Sequence, residues 1–284
     1  MFERILTGAV SIAAAVALLA SAGRGAAGGV GIRLGVCDWT IGKAGDPAAL
    51  ALAGKLGLDG VQVSLVPDGT SLALTRPEAR RAYLEAAERT GVAIVSFAVG
   101  ELNNVPLKSD PRAEKWLGQA VDIAHAMGIR TILVPFFGKG DLRNDAVGLE
   151  AVVQALERLA PRAERSGVVL ALENYLSAAD NMKILERVSS PAVRVYYDVA
   201  NSQSVGHSPF DEIRRLGPRI AEIHAKDTKG LYGQGSIDFA SVRRAMEDIG
   251  YRGWLVIEGT EMPLGLEKSV RYDAEYLKAL FVGK

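Results

Sequence analysis

Six times along the chain, a stretch with apolar residues at helical spacing gives way to a glycine and then to a short apolar run. The phrase reads KLGLDGVQV around Gly57, ERTGVAIVSF around Gly91 and HAMGIRTILV around Gly128. It returns as ERSGVVLALE around Gly167, RRLGPRIAEIH around Gly217 and EDIGYRGWLVIE around Gly250. Each glycine is expected to end a helix in the left-handed conformation, which is free of steric penalty only without a Cβ, before the chain enters a strand. The apolar runs, such as Ile132-Leu133-Val134 and Val168 to Leu172, do not alternate with polar positions. That is the pattern of parallel strands covered on both faces.

Most intervals between these glycines are about 33 to 39 residues, the length of one strand-helix unit, and the one of about 50 holds an additional strand, Val193 to Tyr197, after Pro191. An opening strand near Ile32 to Cys37 brings the number to eight. Eight alternating units predict an α/β chain closed as a (β/α)8 TIM barrel. A doubly wound open sheet is the competing architecture, but no Gly-x-Gly-x-x-Gly follows the first strand. No linker or low-complexity run divides the chain, so residues 30–284 are expected to form a single domain.

The start of the chain breaks this pattern. Arg4 precedes an uncharged run rich in Ala, Val and Leu from Ile5 to Ala20, and Ala20-Ser21-Ala22 has the small-x-small form of a cleavage site. The run is shorter than the ~20 residues needed to span a bilayer. Residues 1–22 are therefore expected to be a signal peptide, with a secreted or periplasmic mature protein and no stable membrane association after cleavage. Acidic and basic residues number 33 each, which gives no electrostatic reason to expect a nucleic acid partner. Cys37 is the single cysteine, so no internal disulfide forms, and its apolar surroundings predict a buried, inert thiol.

The candidate chemistry lies at the ends of later strands, where the active sites of such barrels form. Reading the last residue of each gives Glu173 (LALENYL), Asp198 (VYYDVAN), His224 (AEIHAKD) and Glu258 (LVIEGTE). Each follows an apolar run and so enters a mouth where an uncompensated carboxylate is costly, a cost that a shared cation removes. Three carboxylates and one imidazole suit one divalent metal ion: Mn²⁺, Mg²⁺, Co²⁺ or Zn²⁺.

This series, together with HAKDTKG at 224–230 and with Gly233-Gln234-Gly235 followed by Ile237-Asp238-Phe239, resembles the xylose-isomerase-like barrel superfamily of sugar isomerases, epimerases and dehydratases. The superfamily is related to tagatose epimerase and endonuclease IV, and the resemblance runs from about Ile32 to the C-terminus. It implies that Glu173, Asp198, His224 and Glu258 hold one metal and that the two glutamates also move protons. It further implies a metal-dependent isomerase or epimerase of a ketose, keto-sugar or cyclitol acting through an enediolate. A dehydratase or lyase of a similar substrate and a non-catalytic carbohydrate-binding barrel are the alternatives; binding alone needs no proton-transfer pair. The nuclease branch is disfavoured, since a trinuclear zinc centre needs many histidines and this chain has only His125, His207 and His224.

Other residues are candidates for the substrate. Asn201, where several relatives carry a histidine, can hydrogen-bond a substrate oxygen. His207 lies in the loop beyond it, and Lys226 and Lys229 flank Asp227 just past His224. Glu101 and Asn103 follow the third strand, Asp38 and Trp39 the first, and Phe136 and Phe137 the fourth. Trp39 offers an apolar face to a sugar ring. His125 sits mid-helix and is expected to be a packed or surface residue, and Trp254 is expected to be core. Export favours a free sugar over a phosphorylated one. The oligomeric state, a homo-oligomer included, is left open.

Overall fold

The computed structural model describes residues 31–282. Eight parallel strands close into a barrel in sequential order: Arg33–Cys37, Gly60–Ser64, Ala93–Ala98, Thr131–Pro135, Val169–Glu173, Val193–Asp198, Ile220–Asp227 and Trp254–Thr260, the last pairing with the first. A short antiparallel hairpin, Pro67–Asp68 with Ser71–Leu72, follows the second strand. The expected (β/α)8 architecture is the observed one. The expected signal peptide, 1–22, lies outside the described residues.

Helices Ala48–Lys55, Pro77–Thr90, Pro111–Met127, Ala146–Ser166, Ala178–Val188, Pro209–Leu216, Phe239–Asp248 and Leu266–Leu277 surround the barrel. Their starts are written locally: Asp110, Asp145, Ser177, Ser208 and Asp238 each accept a backbone N–H of the first turn. Gly91, Gly128 and Gly167 end their helices at φ near +70°, as the repeat predicts. Gly217 departs from it. Its φ of 50° comes with ψ of −125°, outside the left-handed helical region, because a 3-10 turn over Gly217–Arg219 leads directly into the seventh strand.

Strand residues alternate between two environments. One parity packs outward against the helices: Leu34, Val36, Val61, Val63, Ile132 and Val134 belong to the main apolar cluster. The other faces the barrel interior, where Leu133, Ala171 and Tyr196 form a smaller cluster and Cys37, Val95, Trp254 and Val256 another. Trp254 is 8% exposed, as expected of core. The interior also holds polar side chains with almost no exposure: Gln62, Ser96, Glu222 and His224.

Two strand ends differ from expectation. The seventh strand continues three residues beyond His224 to Asp227, and the eighth continues two beyond Glu258 to Thr260. The extension is held by pairing of Thr260 with Asp227 past a register shift, so polar residues there are part of the ladder and not of a loop.

Candidate metal and substrate site

Glu173 and Asp198 are the last residues of the fifth and sixth strands, while His224 and Glu258 lie inside the seventh and eighth. Inward parity and adjacent strands bring all four to one mouth of the barrel. One ligand atom from each lies within 4.8 Å of the others. His224 Nδ1 is 3.0 Å from Glu173 Oε1, 3.5 Å from Glu258 Oε2 and 3.8 Å from Asp198 Oδ2. Asp198 also caps the short helix Val199–Ser204, its Oδ1 accepting the Asn201 N–H at 2.7 Å. That leaves Oδ2, which is buried with no hydrogen-bond partner.

Three carboxylates in this space face two cationic groups, His224 and Lys226. Lys226 lies within the seventh strand and turns to the cluster, its Nζ 2.9 Å from Glu258 Oε2 and 3.7 Å from Asp198 Oδ2. Burial pushes Glu173 and Asp198 above the usual carboxylate range, although the positive charge nearby opposes it. Burial acts the same way on Glu258, but His224 and Lys226 outweigh it and hold that carboxyl at about 2. Burial lowers His224 and Lys226, and in both the surrounding carboxylates, Glu258 first, win and raise them.

A residue absent from the sequence-derived set orients the histidine. Gln62, mid-strand in GVQV, is fully buried. Its Nε2 donates to Ser96 Oγ at 3.0 Å, which turns Oε1 toward His224 Nε2 at 2.8 Å and toward the Cys37 thiol at 3.3 Å. With Nε2 protonated and donating to Gln62, Nδ1 is the nitrogen presented to the carboxylate cluster, where it holds a proton toward Glu173 or, once that is lost, a lone pair for a metal. The available signal was a lone amide in an otherwise apolar run, since a buried amide must find partners.

Beside the cluster is a cavity of about 280 Å³ lined by Glu173, Glu258, Ser64, Asn103 and the apolar groups of Trp39, Ala98, Leu133, Pro135 and Phe137, among others. Trp39 Nε1 donates to Glu258 Oε1 at 3.3 Å, and Asn201 Nδ2 donates to Glu173 Oε1 at 3.3 Å. Phe137 meets Tyr175 edge-on at 4.8 Å, and the Arg143 guanidinium lies 4.5 Å over the Tyr175 ring. Among the candidates, Trp39, Asn103, Asn201, Lys226 and Phe137 are therefore brought together with the four central residues.

Others are not. Glu101 sits in the turn Gly100–Asn103, whose two end residues line the cavity while Glu101 does not. Its charge is felt by Arg112 instead. His207 follows the short helix after Asp198 and is absent from the cavity lining. Both lie in loops, where no strand parity directs the side chain. Asp38 is fully buried and ties loops together, accepting from Gly45 N, Ser64 N and Ser64 Oγ. Phe136 is core, and Lys229 is exposed. His125 is exposed, with Nδ1 3.0 Å from Ser166 O. Cys37 is buried and burial raises its thiol.

The glycine-rich segment after the seventh strand has a structural explanation. Asp227 accepts the backbone N–H groups of Lys229 and Ile237, at 3.0 and 2.9 Å. A Cβ on Gly235 would meet that carboxylate, so only glycine lets the loop close over it. Asp238 then caps the following helix.

The profile of a family described as xylose isomerase-like TIM barrel matches residues 50–280. A 2-epi-5-epi-valiolone 7-phosphate 2-epimerase of Actinoplanes sp. is 31% identical over 197 residues, covering 69% of this chain and 72% of that protein. An L-ribulose 3-epimerase of Methylomonas sp. is 25% identical over 238 residues, covering 78% and 80%. Among solved structures, a D-psicose 3-epimerase from Clostridium cellulolyticum H10, determined with D-tagatose, superposes with a TM-score of 0.73 at 17% identity, covering 88% of this chain and 99% of the other. That last likeness is one of fold.

Proposed function

Because the chain belongs to the xylose isomerase-like TIM barrel family, we propose that it is a metal-dependent isomerase or epimerase of a ketose, keto-sugar or cyclitol, working through an enediolate. The observation that carries this reading is that Glu173 and Glu258, from the fifth and eighth strands, line one cavity and share a cluster with Asp198 and His224. The 31% identical relative being named an epimerase supports it. The donor set fits a hard-to-borderline divalent ion, since the buried Asp198 Oδ2 has no hydrogen-bond partner and three carboxylates face one ammonium and one imidazole. Glu173, Asp198, His224 and Glu258 would hold it. When bound, the ion supplies positive charge that polarises the carbonyl and hydroxyl oxygens of the substrate.

The protein's own groups then do the proton work. One glutamate removes the proton from the carbon beside the carbonyl, and the other delivers a proton to the opposite face. Asn201 steadies Glu173, and Trp39 with Lys226 steadies Glu258. Trp39 and Phe137 offer apolar walls to the C–H faces of a sugar and exclude water. Among the described residues no arginine or lysine lines the cavity and Lys226 is engaged by Glu258, which favours a free sugar over a phosphorylated one.

The test is a panel of ketopentoses and ketohexoses, free and phosphorylated, assayed with added Mn²⁺, Mg²⁺ or Co²⁺ in heavy water. Deuterium should enter at a carbon beside the carbonyl, and Glu173→Gln and Glu258→Gln should each abolish turnover at saturating metal with the fold intact. Near wild-type rates in both variants would refute the assigned roles. No metal-dependent turnover of any substrate would leave a binding barrel.

A further inference from the structure

The barrel has a second mouth, at the N-terminal ends of the strands, and its chemistry is of the opposite sign. A cavity of about 340 Å³ opens there, lined by Arg33, Arg130, Arg194 and Arg252 together with Glu222 and Trp254, among others. That volume is at the lower end of small-ligand sites, ~300–1,000 Å³. The four arginines come from four parts of the barrel: the start of the first strand, the residue before the fourth, the second residue of the sixth, and the loop before the eighth. Strand parity turns Arg33 and Arg194 inward, while Arg130 and Arg252 stand just before their strands at the rim of the opening. Thr131, Val169 and Trp254 line this lower cavity, while Leu133, Glu173 and Glu258, two or four residues further along the same strands, line the upper one.

Elsewhere on the molecule some arginines are matched, while others, such as Arg80 and Arg271, reach only backbone carbonyls. Arg112, Arg143, Arg158 and Arg187 each lie within 2.9 Å of a carboxylate. None of the four at the lower mouth forms an ion pair within the described residues. Arg33 stacks on the Trp254 ring, 4.0 Å from its centroid, and Arg194 Nε reaches only a backbone carbonyl, at 3.4 Å. Four guanidinium groups around one opening repel one another, in a chain whose acidic and basic residues are equal in number. An oxyanion removes that repulsion, and the planar guanidinium fork matches phosphate oxygens in pairs.

The single acid of the cavity narrows the ligand further. Glu222 is 4% exposed, and its Oε2 is buried with no hydrogen-bond partner. A phosphate group can share a proton with that oxygen in either sense, accepting the carboxyl's own or, when singly protonated, donating its hydroxyl. We propose that the N-terminal mouth of this barrel is a binding site for a phosphate group, held by Arg33, Arg130, Arg194 and Arg252 and read by Glu222. The site is on the face opposite the carboxylate cluster, and it stands whether or not the chain is an epimerase.

Titration calorimetry of the full chain with inorganic phosphate, and separately with glycerol 3-phosphate, at constant ionic strength tests this. Saturable binding is expected for at least one, and the tighter of the two identifies the source as the free ion or an organic ester. The double variant Arg130→Ala/Arg194→Ala, checked for fold by circular dichroism, should bind at least tenfold more weakly. Glu258→Gln, which alters the other mouth without touching the Gln62 amide, should bind as wild type does. Should that variant fail to fold, Trp39→Phe, in the upper cavity, serves in its place. Heat that does not saturate, or equal binding in the double arginine variant, overturns the proposal. So does binding lost in the folded variant of the upper mouth.

Discussion

Glu222 makes the folded state sensitive to pH in an unusual direction. Burial lifts its carboxyl from an ordinary 4.5 to about 7, against hydrogen bonding from the Ser96 and Thr131 hydroxyls. Between these two values the folded chain keeps a proton that the unfolded chain releases, so this group's contribution lowers stability as pH rises through that window. At ~1.4 kcal/mol per pKa unit, the full penalty above pH 7 is about 3 kcal/mol. Glu222→Gln keeps the shape and an acceptor oxygen but cannot ionise. The variant should match wild type at pH 5 and exceed it at pH 8 by roughly 6–12 °C in Tm, taking ~2–4 °C per kcal/mol for a domain of this size. Other buried acids titrate too, so the measurement is the wild-type-minus-variant difference across pH, by scanning calorimetry at saturating metal. A difference that is the same at pH 5 and pH 8 would show that Glu222 does not titrate in this window.

Three further outcomes follow from the site and the sequence. Gln62→Leu removes the acceptor that fixes the His224 ring, and should weaken Mn²⁺ binding by roughly 10–100-fold, read by calorimetry; unchanged affinity would refute the orienting role. Lys226→Met removes a cation from beside Glu258 and Asp198. It should lower the Tm of chelator-treated protein more than that of protein with saturating Mn²⁺, and equal losses would show that Lys226 does not share the carboxylates' charge with a metal. We also propose that the mature chain begins near Gly23 outside the cytoplasm; N-terminal sequencing of natively expressed protein checks it, and an intact Met1 on soluble cytoplasmic protein would refute it.

Much of this was legible in the sequence because it is local. A helix that ends on Gly91 or Gly128 announces itself in the glycine and in the apolar run behind it. Glu173, Asp198, His224 and Glu258 stand out as polar residues closing such runs. What depends on the closed barrel was not legible. Gln62 and Glu222 interrupt their strands as isolated polar residues, and only the neighbouring strands supply the partners that explain them. The course of the seventh strand past His224 is set by pairing with the eighth, so Lys226, which the sequence places just past the strand, is in the ladder. Glu101 and His207 were placed by proximity along the chain, and loop side chains do not obey the alternation that fixed the others.

The amide of Gln62 gives the barrel interior a direction. Its oxygen accepts from His224 and Cys37, so both lone pairs are used, and its nitrogen donates to Ser96. The Ser96 hydroxyl, having accepted there, is left to donate its own proton toward Glu222. Every donor along this line points the same way, from the histidine of the acidic mouth to the carboxyl of the basic one. Rotating the amide by half a turn would set a donor against the protonated histidine nitrogen and leave Ser96 to donate back to Gln62, withdrawing the proton offered to Glu222. The proton on His224 Nε2 and the donor received by Glu222 are thus fixed by one torsion, and a neutron structure would see both change together or neither.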